Sequence, residues 1–490
     1  MPRHGLAAVV LAVVAALVVA APSAASASAP AAPVAAAGVT GVAPVAVPAP
    51  AYLVGSYPLR PTDPDQSIYA VSDPLPLDDA GPHDATGVRM FVVNGVLHDH
   101  PVAQAQYGLW LLDSYRITGD PAYLDRAVAQ AQRIISKRVV SGPAWFFPYD
   151  FDFALHQDAT KGLERAPWFS AMAQGQALSL FVRLLQVTGD PSYRAAADAT
   201  FLSFLASPSA TRPWVAHVDP ARNLWLEEFP QFPTSASDFT LNGHLFATFG
   251  LYDYVVLTGD PRARQLWNGA VHTVSVVVPA GIRNPGWMSN YCLAHGHPSA
   301  RYHAVHIEQL LRLHVITGSA VFANLADTLS DDYPTPEQGG TVVLSKGLRS
   351  AYAFTARGVI GAPVTRLLTT TLQVRFDRRQ RMPGRGIYYR IATGTFAGRW
   401  VAEQPLVAVA RKPVGVEHYL LTRRLIVPKG RVAGIVVGDS GWSTVVRATL
   451  PRATHYVVDA RGWVRGVASV HVTSGTLAGA WIPVSAGTLR

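Results

Sequence analysis

The sequence predicts a mainly α-helical body of about four helical hairpins curled into an α/α toroid, followed by a small all-β body. Three observations carry this prediction. The tetrapeptide Thr-Gly-Asp-Pro occurs at 118–121, 188–191 and 258–261, a period of 70 residues, with a degenerate fourth copy at Thr317-Gly318-Ser319. Each copy separates two stretches of helical periodicity, as at 103–112 and 123–135. Beyond about residue 341 short runs of Val, Thr, Tyr and Ile are punctuated by Gly and Pro, the pattern of strands and turns.

Taken in chain order, residues 1–29 read as a signal peptide. Arg3 and His4 precede an apolar run at 6–21, and small residues at 25, 27 and 29 follow. That run is too short to anchor the chain across a membrane, so the expectation is an exported, secreted or wall-associated protein without a transmembrane anchor. Residues 30–51 are an Ala/Pro-rich spacer and 52–97 an N-terminal extension. The toroid is expected over 98–335. Its turns follow from local chemistry: Gly closes the first helix in the left-handed conformation, Asp caps the second, and Pro fills the second helix's first position, where an N–H is dispensable. Such hairpins bury their faces only by stacking on one another. Closure into a toroid rather than an open solenoid is expected because the segments leading into each hairpin are long and aromatic (Trp145, Phe146, Phe147; Trp214, Trp225, Phe232; Trp287, Tyr291), as loops gathered at one mouth would be.

Charge divides the chain. Residues 341–490 hold 22 Lys+Arg against 5 Asp+Glu, a balance of +17, while the remainder holds 19 against 27, a balance of −8. The basic body also repeats, because 390–401 matches 471–482 at an offset of 81, which gives two related β units. Arg375, Arg378, Arg379, Arg381 and Arg385, then Arg423, Arg424, Lys429 and Arg431, form its densest clusters. An anionic glycan or cell-wall polymer is the expected partner. Nucleic acid is not expected, since export and the lack of any nucleic-acid motif argue against it. A composition of 49% hydrophobic and 15% charged residues excludes a disordered chain. Cys292 is the single cysteine, which excludes an intrachain disulfide, a Cys-x-x-Cys redox pair and a multi-thiolate zinc site.

At the expected mouth stand polar residues that a packed helix tolerates poorly: Gln104, Gln106 and Tyr107; Trp168, Ser170, Gln174 and Gln176; Asn242 and His244 after the run Trp225-Leu226-Glu227-Glu228-Phe229-Pro230; and Trp287, Tyr291, Arg301, Tyr302, His303 and His306. Aromatic faces mixed with amides suit a sugar polymer, whose C–H faces stack on rings while its hydroxyls take hydrogen bonds. Each aromatic also has an alternative as a core residue, and Glu228 has one as a solvated loop carboxylate. His303 and His306, at i and i+3, could suggest a metal, but no third ligand follows at suitable spacing. Neither metal nor cofactor is expected.

Residues of about 98–330 resemble the heparan/heparosan D-glucuronyl C5-epimerases. The resemblance rests on His100-Pro101-Val102-Ala103-Gln104-Ala105-Gln106-Tyr107-Gly108-Leu109, on Trp168-Phe169-Ser170-Ala171-Met172-Ala173-Gln174-Gly175-Gln176-Ala177, and on Trp225-Leu226-Glu227-Glu228-Phe229-Pro230 with Pro233-Thr234-Ser235. It continues through Leu241-Asn242-Gly243, Gly250-Leu251-Tyr252-Asp253 and Tyr302-His303-Ala304-Val305-His306-Ile307. It implies an incomplete α/α toroid that converts D-glucuronic to L-iduronic acid within a uronic-acid polysaccharide. It assigns proton transfer to Glu228 and Tyr302, with Tyr291 as a further active-site tyrosine; the mouth residues Gln106, Tyr107, Trp168, Gln174, Gln176, Asn242, Trp287, His303 and His306 are the candidates for substrate binding. The reaction needs a base on one face, an acid on the other, and donors on the carboxylate where charge accumulates. A phenol titrates near 10, so Tyr302 as a base needs cationic neighbours; Arg301, His303 and His306 are the candidates in sequence. Phe229 stands where the family commonly has a tyrosine, which puts in doubt any step needing that third phenol. A polysaccharide lyase, which shares the first proton abstraction, and a non-catalytic glycan- or wall-binding protein are the alternatives.

Overall fold

The computed structural model describes residues 49–490 apart from 63, 72, 232, 233, 235, 335, 337, 338, 345, 355–359, 371, 383, 384, 404–406, 411, 412, 438–442, 465 and 466. The signal peptide, most of the spacer, Phe232, Pro233 and Ser235 lie outside the described residues. Eight α-helices among the described residues pair as four hairpins: α1 Pro101–Thr118 with α2 Pro121–Ser136, α3 Ala171–Thr188 with α4 Pro191–Phe201, α5 Leu241–Thr258 with α6 Pro261–Val277, and α7 Ala300–Thr317 with α8 Ala320–Asp332. None of them is long and apolar enough to cross a membrane.

The turns are built as the repeat predicts. Gly119, Gly189, Gly259 and Gly318 adopt φ of 72°, 71°, 67° and 65°, and their N–H groups donate to the carbonyls of Tyr115, Leu185, Val255 and His314 at 2.7–2.8 Å. A side chain with a Cβ is strained at such φ, so glycine is required. Asp120, Asp190 and Asp260 accept from the backbone N–H two residues on, and Ser319 replaces them in the fourth turn.

The described residues form two compact units, one running to Val276 and taking in Cys292–His295, the other Val277–Tyr291 with Gly296–Arg490. The division falls at the end of the third hairpin rather than near 335, so the fourth hairpin groups with the β-rich part. In the first unit α1, α3 and α5 pack side by side, and each is buried around nearly its whole circumference over its first three turns. Their partners are one-sided: α2 buries Tyr123, Ala127, Gln130, Ala131 and Ile134 and exposes the rest of its surface to varying degrees. At the α3–α5 contact a Cβ on Gly175 would run into the Ala247 backbone, and one on Gly250 into the backbone of Gly175, so the two helices meet main chain to main chain. Residues 52–97 strap this unit together: Leu53 N–H donates to Arg222 O at 2.8 Å, the Tyr252 hydroxyl to Arg60 O at 2.5 Å, Arg183 to the Ser67 hydroxyl at 2.9 Å and Val71 N–H to Asp113 at 2.7 Å.

The second unit carries α7, α8 and two larger antiparallel sheets. One has five strands in the order Trp400–Ala402, Ile387–Ile391, Leu372–Arg381, Gly340–Leu344, Val407–Ala410; the other has seven. The 81-residue repeat has a shared structural basis. In each unit a strand leads into a tight turn with glycines of positive φ (Gly394 and Gly398; Gly475 and Gly479), closed by Gly398 N–H to Ile391 O at 2.8 Å and Gly479 N–H to Val472 O at 2.7 Å. Phe396 and Leu477 plug the respective cores. Part of the positive charge is consumed internally. Arg379 is buried against Glu403 at 3.2 Å, and Arg423 and Arg461 both pair with Asp327 of α8. Arg375, Arg378, Arg385, Arg424 and Arg431 remain exposed.

Candidate functional site

Glu228 follows the strand Leu224–Leu226 and is half-buried beside the start of α5. Asn242, in the first turn of α5, donates from its amide to Glu228 Oε2 at 3.2 Å. A Cβ on Gly243 would overlap the Glu228 carboxylate, so glycine is what lets that group reach the helix N-terminus. The partial positive charge there favours a carboxylate. An aromatic floor supports the loop: Tyr149 and Trp168 stack at 3.7 Å and 6°, Phe153 and Phe229 at 5.5 Å and 12°, and Trp168 lies 5.9 Å from Phe229. Phe229 is thus a packing residue of this floor. Burial drives the Tyr149 phenol well above its ordinary range, and the charge of Glu228 pushes the same way, so Tyr149 stays protonated.

The remaining candidate binding residues of this unit are mostly committed to the fold. Trp168 is buried and gives its indole N–H to Phe151 O at 2.8 Å, which leaves no open ring face. Gln174 accepts from Phe147 N–H at 2.9 Å and donates to Trp145 O at 2.7 Å and to the Ser203 hydroxyl at 2.8 Å, clamping three segments. Gln106 and Gln176 are fully buried, the latter near the Tyr69 phenol. Tyr107 is buried under Arg89, accepts from Arg126 at 3.2 Å, and is pushed up to about 12 by burial and by Asp79. His244 accepts from Leu226 N–H at 3.0 Å and reaches Ala270 O, and burial lowers it to about 4.

In the second unit Tyr291 and Tyr302 face one another, ring centroids 4.3 Å apart. Tyr302 sits in the first turn of α7, whose N-cap is Ser299. Burial lowers the neighbouring Arg301 guanidinium, and a negative charge on Tyr302 works against that lowering, which identifies Arg301 as a cationic neighbour. The histidines do not share that role. Ser289 N–H donates to His303 Nδ1 at 2.8 Å, so the His303 proton lies on Nε2 and goes to Tyr333 O at 3.0 Å. His306 Nδ1 meets the Ser289 hydroxyl at 3.0 Å, and burial, then the charge of His303, lowers it to about 3. Both rings are buried positioning groups for the Ser289 loop. Trp287 packs edge-on against Tyr333 at 5.1 Å.

Residues 141–330, which contain Glu228, Tyr291 and Tyr302, match the family described as D-glucuronyl C5-epimerase C-terminus. The D-glucuronyl C5-epimerase of Caenorhabditis elegans is 29% identical over 180 residues, which is 33% of this chain and 28% of the nematode protein. The match thus spans little more than a quarter of that relative's length. Among solved structures, cellobiose 2-epimerase from Bacillus thermoamylovorans is 16% identical with a TM-score of 0.38, over 51% of this chain and 65% of that one. A GH76 alpha-mannanase from Bacteroides thetaiotaomicron is 11% identical with a TM-score of 0.33, over 50% and 62%.

Proposed function

We propose that this protein is an exported epimerase that inverts C5 of D-glucuronic acid within a uronic-acid polysaccharide, on an incomplete α/α toroid made from its hairpins. The observation that carries this reading is the family match across one segment that holds Glu228, Tyr291 and Tyr302. In this reading one of Glu228 and Tyr302 removes the C5 proton, the electron pair delocalises into the C5 carboxylate as an enolate, and the other returns a proton to the opposite face. Arg301 supplies the cationic neighbour that a phenolic base requires. Asn242 and the α5 N-terminus hold Glu228 in place. The exposed arginines of the β-rich part bind the same polyanion, or an anionic wall polymer, by charge.

Proton NMR of heparosan and related glucuronans incubated with the protein in deuterated water tests this. Deuterium at C5 with new iduronic signals supports the epimerase. Unsaturated ends absorbing in the ultraviolet would assign a lyase, and no exchange across the panel would leave a glycan-binding protein, the reading that Phe229 in place of the family tyrosine favours. Tyr302→Phe should abolish exchange; unchanged turnover would remove Tyr302 from the mechanism.

A further inference from the structure

Outside the proton-transfer residues, the first unit gathers two histidines, an aspartate and the chain's single cysteine. The donor atoms of His156, Asp238, Cys292 and His295 all lie within 4.8 Å of one another. Cys292 Sγ is 3.4 Å from His156 Nε2 and 3.8 Å from His295 Nδ1; His156 Nε2 is 3.3 Å from Asp238 Oδ2, and His295 Nδ1 is 2.6 Å from Asp238 Oδ1. A tetrahedron of nitrogen, oxygen and sulfur ligands around zinc has edges of about 3.3–3.6 Å, given metal–ligand distances of roughly 2.0–2.3 Å. Two of the four measured separations fall in that range and Cys292–His295 is slightly longer. The His295–Asp238 contact is a hydrogen bond, and it opens by a fraction of an ångström if both groups turn to a common ion.

We propose that these four side chains bind a zinc-class divalent cation as a closed, four-coordinate structural site. The ligands come from three segments: His156 follows the short strand Phe153–Ala154, Asp238 precedes α5, and Cys292 and His295 lie on one turn with two residues between them. The second and third segments are already laced by Leu293 N–H to Phe239 O at 3.2 Å and Ala294 N–H to Asp238 O at 3.3 Å. His156 and Phe239 hold φ of 53° and 54°, a left-handed conformation costly for residues with a side chain and characteristic of sites where local geometry serves a function.

Burial decides between a cation and a nucleophilic cysteine. Cys292 and Asp238 are both fully buried, so no substrate carbon can reach the sulfur. Glu164, another buried carboxyl, is 1% exposed, has no hydrogen-bond partner for either oxygen among the described residues, and lies within electrostatic reach of Asp238. A divalent ion neutralises the thiolate and the carboxylate it binds. Two imidazoles, a carboxylate and a thiolate are the ligand mixture that suits zinc over magnesium or calcium.

The test is Co2+ titration of the full-length protein after chelator treatment. The expected result is one equivalent bound, the strong visible bands of four-coordinate cobalt, a thiolate-to-cobalt charge-transfer band, and displacement of all of these by Zn2+. Because the chain has one cysteine, the charge-transfer band identifies Cys292 without any variant. Cys292→Ser should remove that band, and His295→Ala should weaken Co2+ binding at least about tenfold, since loss of even an outer-shell partner typically costs that much. Zn2+ should raise the unfolding midpoint of the parent protein and leave that of a His156→Ala/Asp238→Asn variant unchanged. No stoichiometric binding, or binding without a charge-transfer band, overturns the assignment, and both outcomes are read on the parent protein whether or not the variants fold.

Discussion

Gln174 and Glu228 stand by the first turns of neighbouring helices, α3 and α5, and both are polar residues following a tryptophan-led segment, yet the structure uses them in opposite ways. Gln174 has no exposed surface and spends its amide on three groups of the protein itself. Glu228 is only half-buried and sits on a helix N-terminus that a glycine keeps open. A polar residue at a helix start is therefore not evidence of a binding site on its own. What separates the two here is exposure: one amide is sealed inside the fold, while the carboxylate keeps a face to solvent.

The contrast can be broken at either end. Glu228→Gln should lower C5 exchange by about 10²–10⁴-fold, the usual worth of a positioned acid or base, while urea denaturation shows little change. Equal losses of activity and stability would make Glu228 a second clamp. Gln174→Ala should do the reverse, costing about 2–4 kcal/mol in a urea titration because it strands the buried Phe147 N–H and removes three hydrogen bonds. The buried histidines sharpen the same distinction. His100 and His244 are lowered to about 4 and His306 to about 3, chiefly by burial, against an ordinary value of 6.5. The unfolded chain thus gains protons below pH 6.5 that the folded chain refuses. Stability should be fully present above pH 6.5 and fall on acidification toward about 4, by up to about 1.4 kcal/mol per pH unit per histidine. Urea midpoints that do not move between neutral and mildly acidic pH would contradict this. The smallest effect belongs to the repeat turns: Asp190→Ala should cost about 1 kcal/mol by removing the α4 cap.

The hairpin series was legible because each turn is specified by three or four adjacent residues, and Gly119, Asp120 and Pro121 act alone on their own backbone. The 81-residue β repeat was legible for the same reason. Destinations set by distant packing were not. Nothing local to Trp168 says that Tyr149 will cover its face, and nothing local to His303 and His306 says that Ser289 will take both rings into the interior. Cys292 and His295 stand with only two residues between them in the sequence. His156 and Asp238 are 136 and 54 residues from Cys292 in sequence, beyond the reach of any spacing rule.

The glycine contact between α3 and α5 has a mechanical meaning. Where helices touch through long side chains, rotamer changes let them slide or spread by an ångström or more. Gly175 and Gly250 leave no such slack, because main chain rests on main chain. The seam is stiff, and Glu228, carried on the segment that leads into α5, is referenced to it. Any accommodation at this site must then come from the loops, while the wall that presents the carboxylate keeps its gauge.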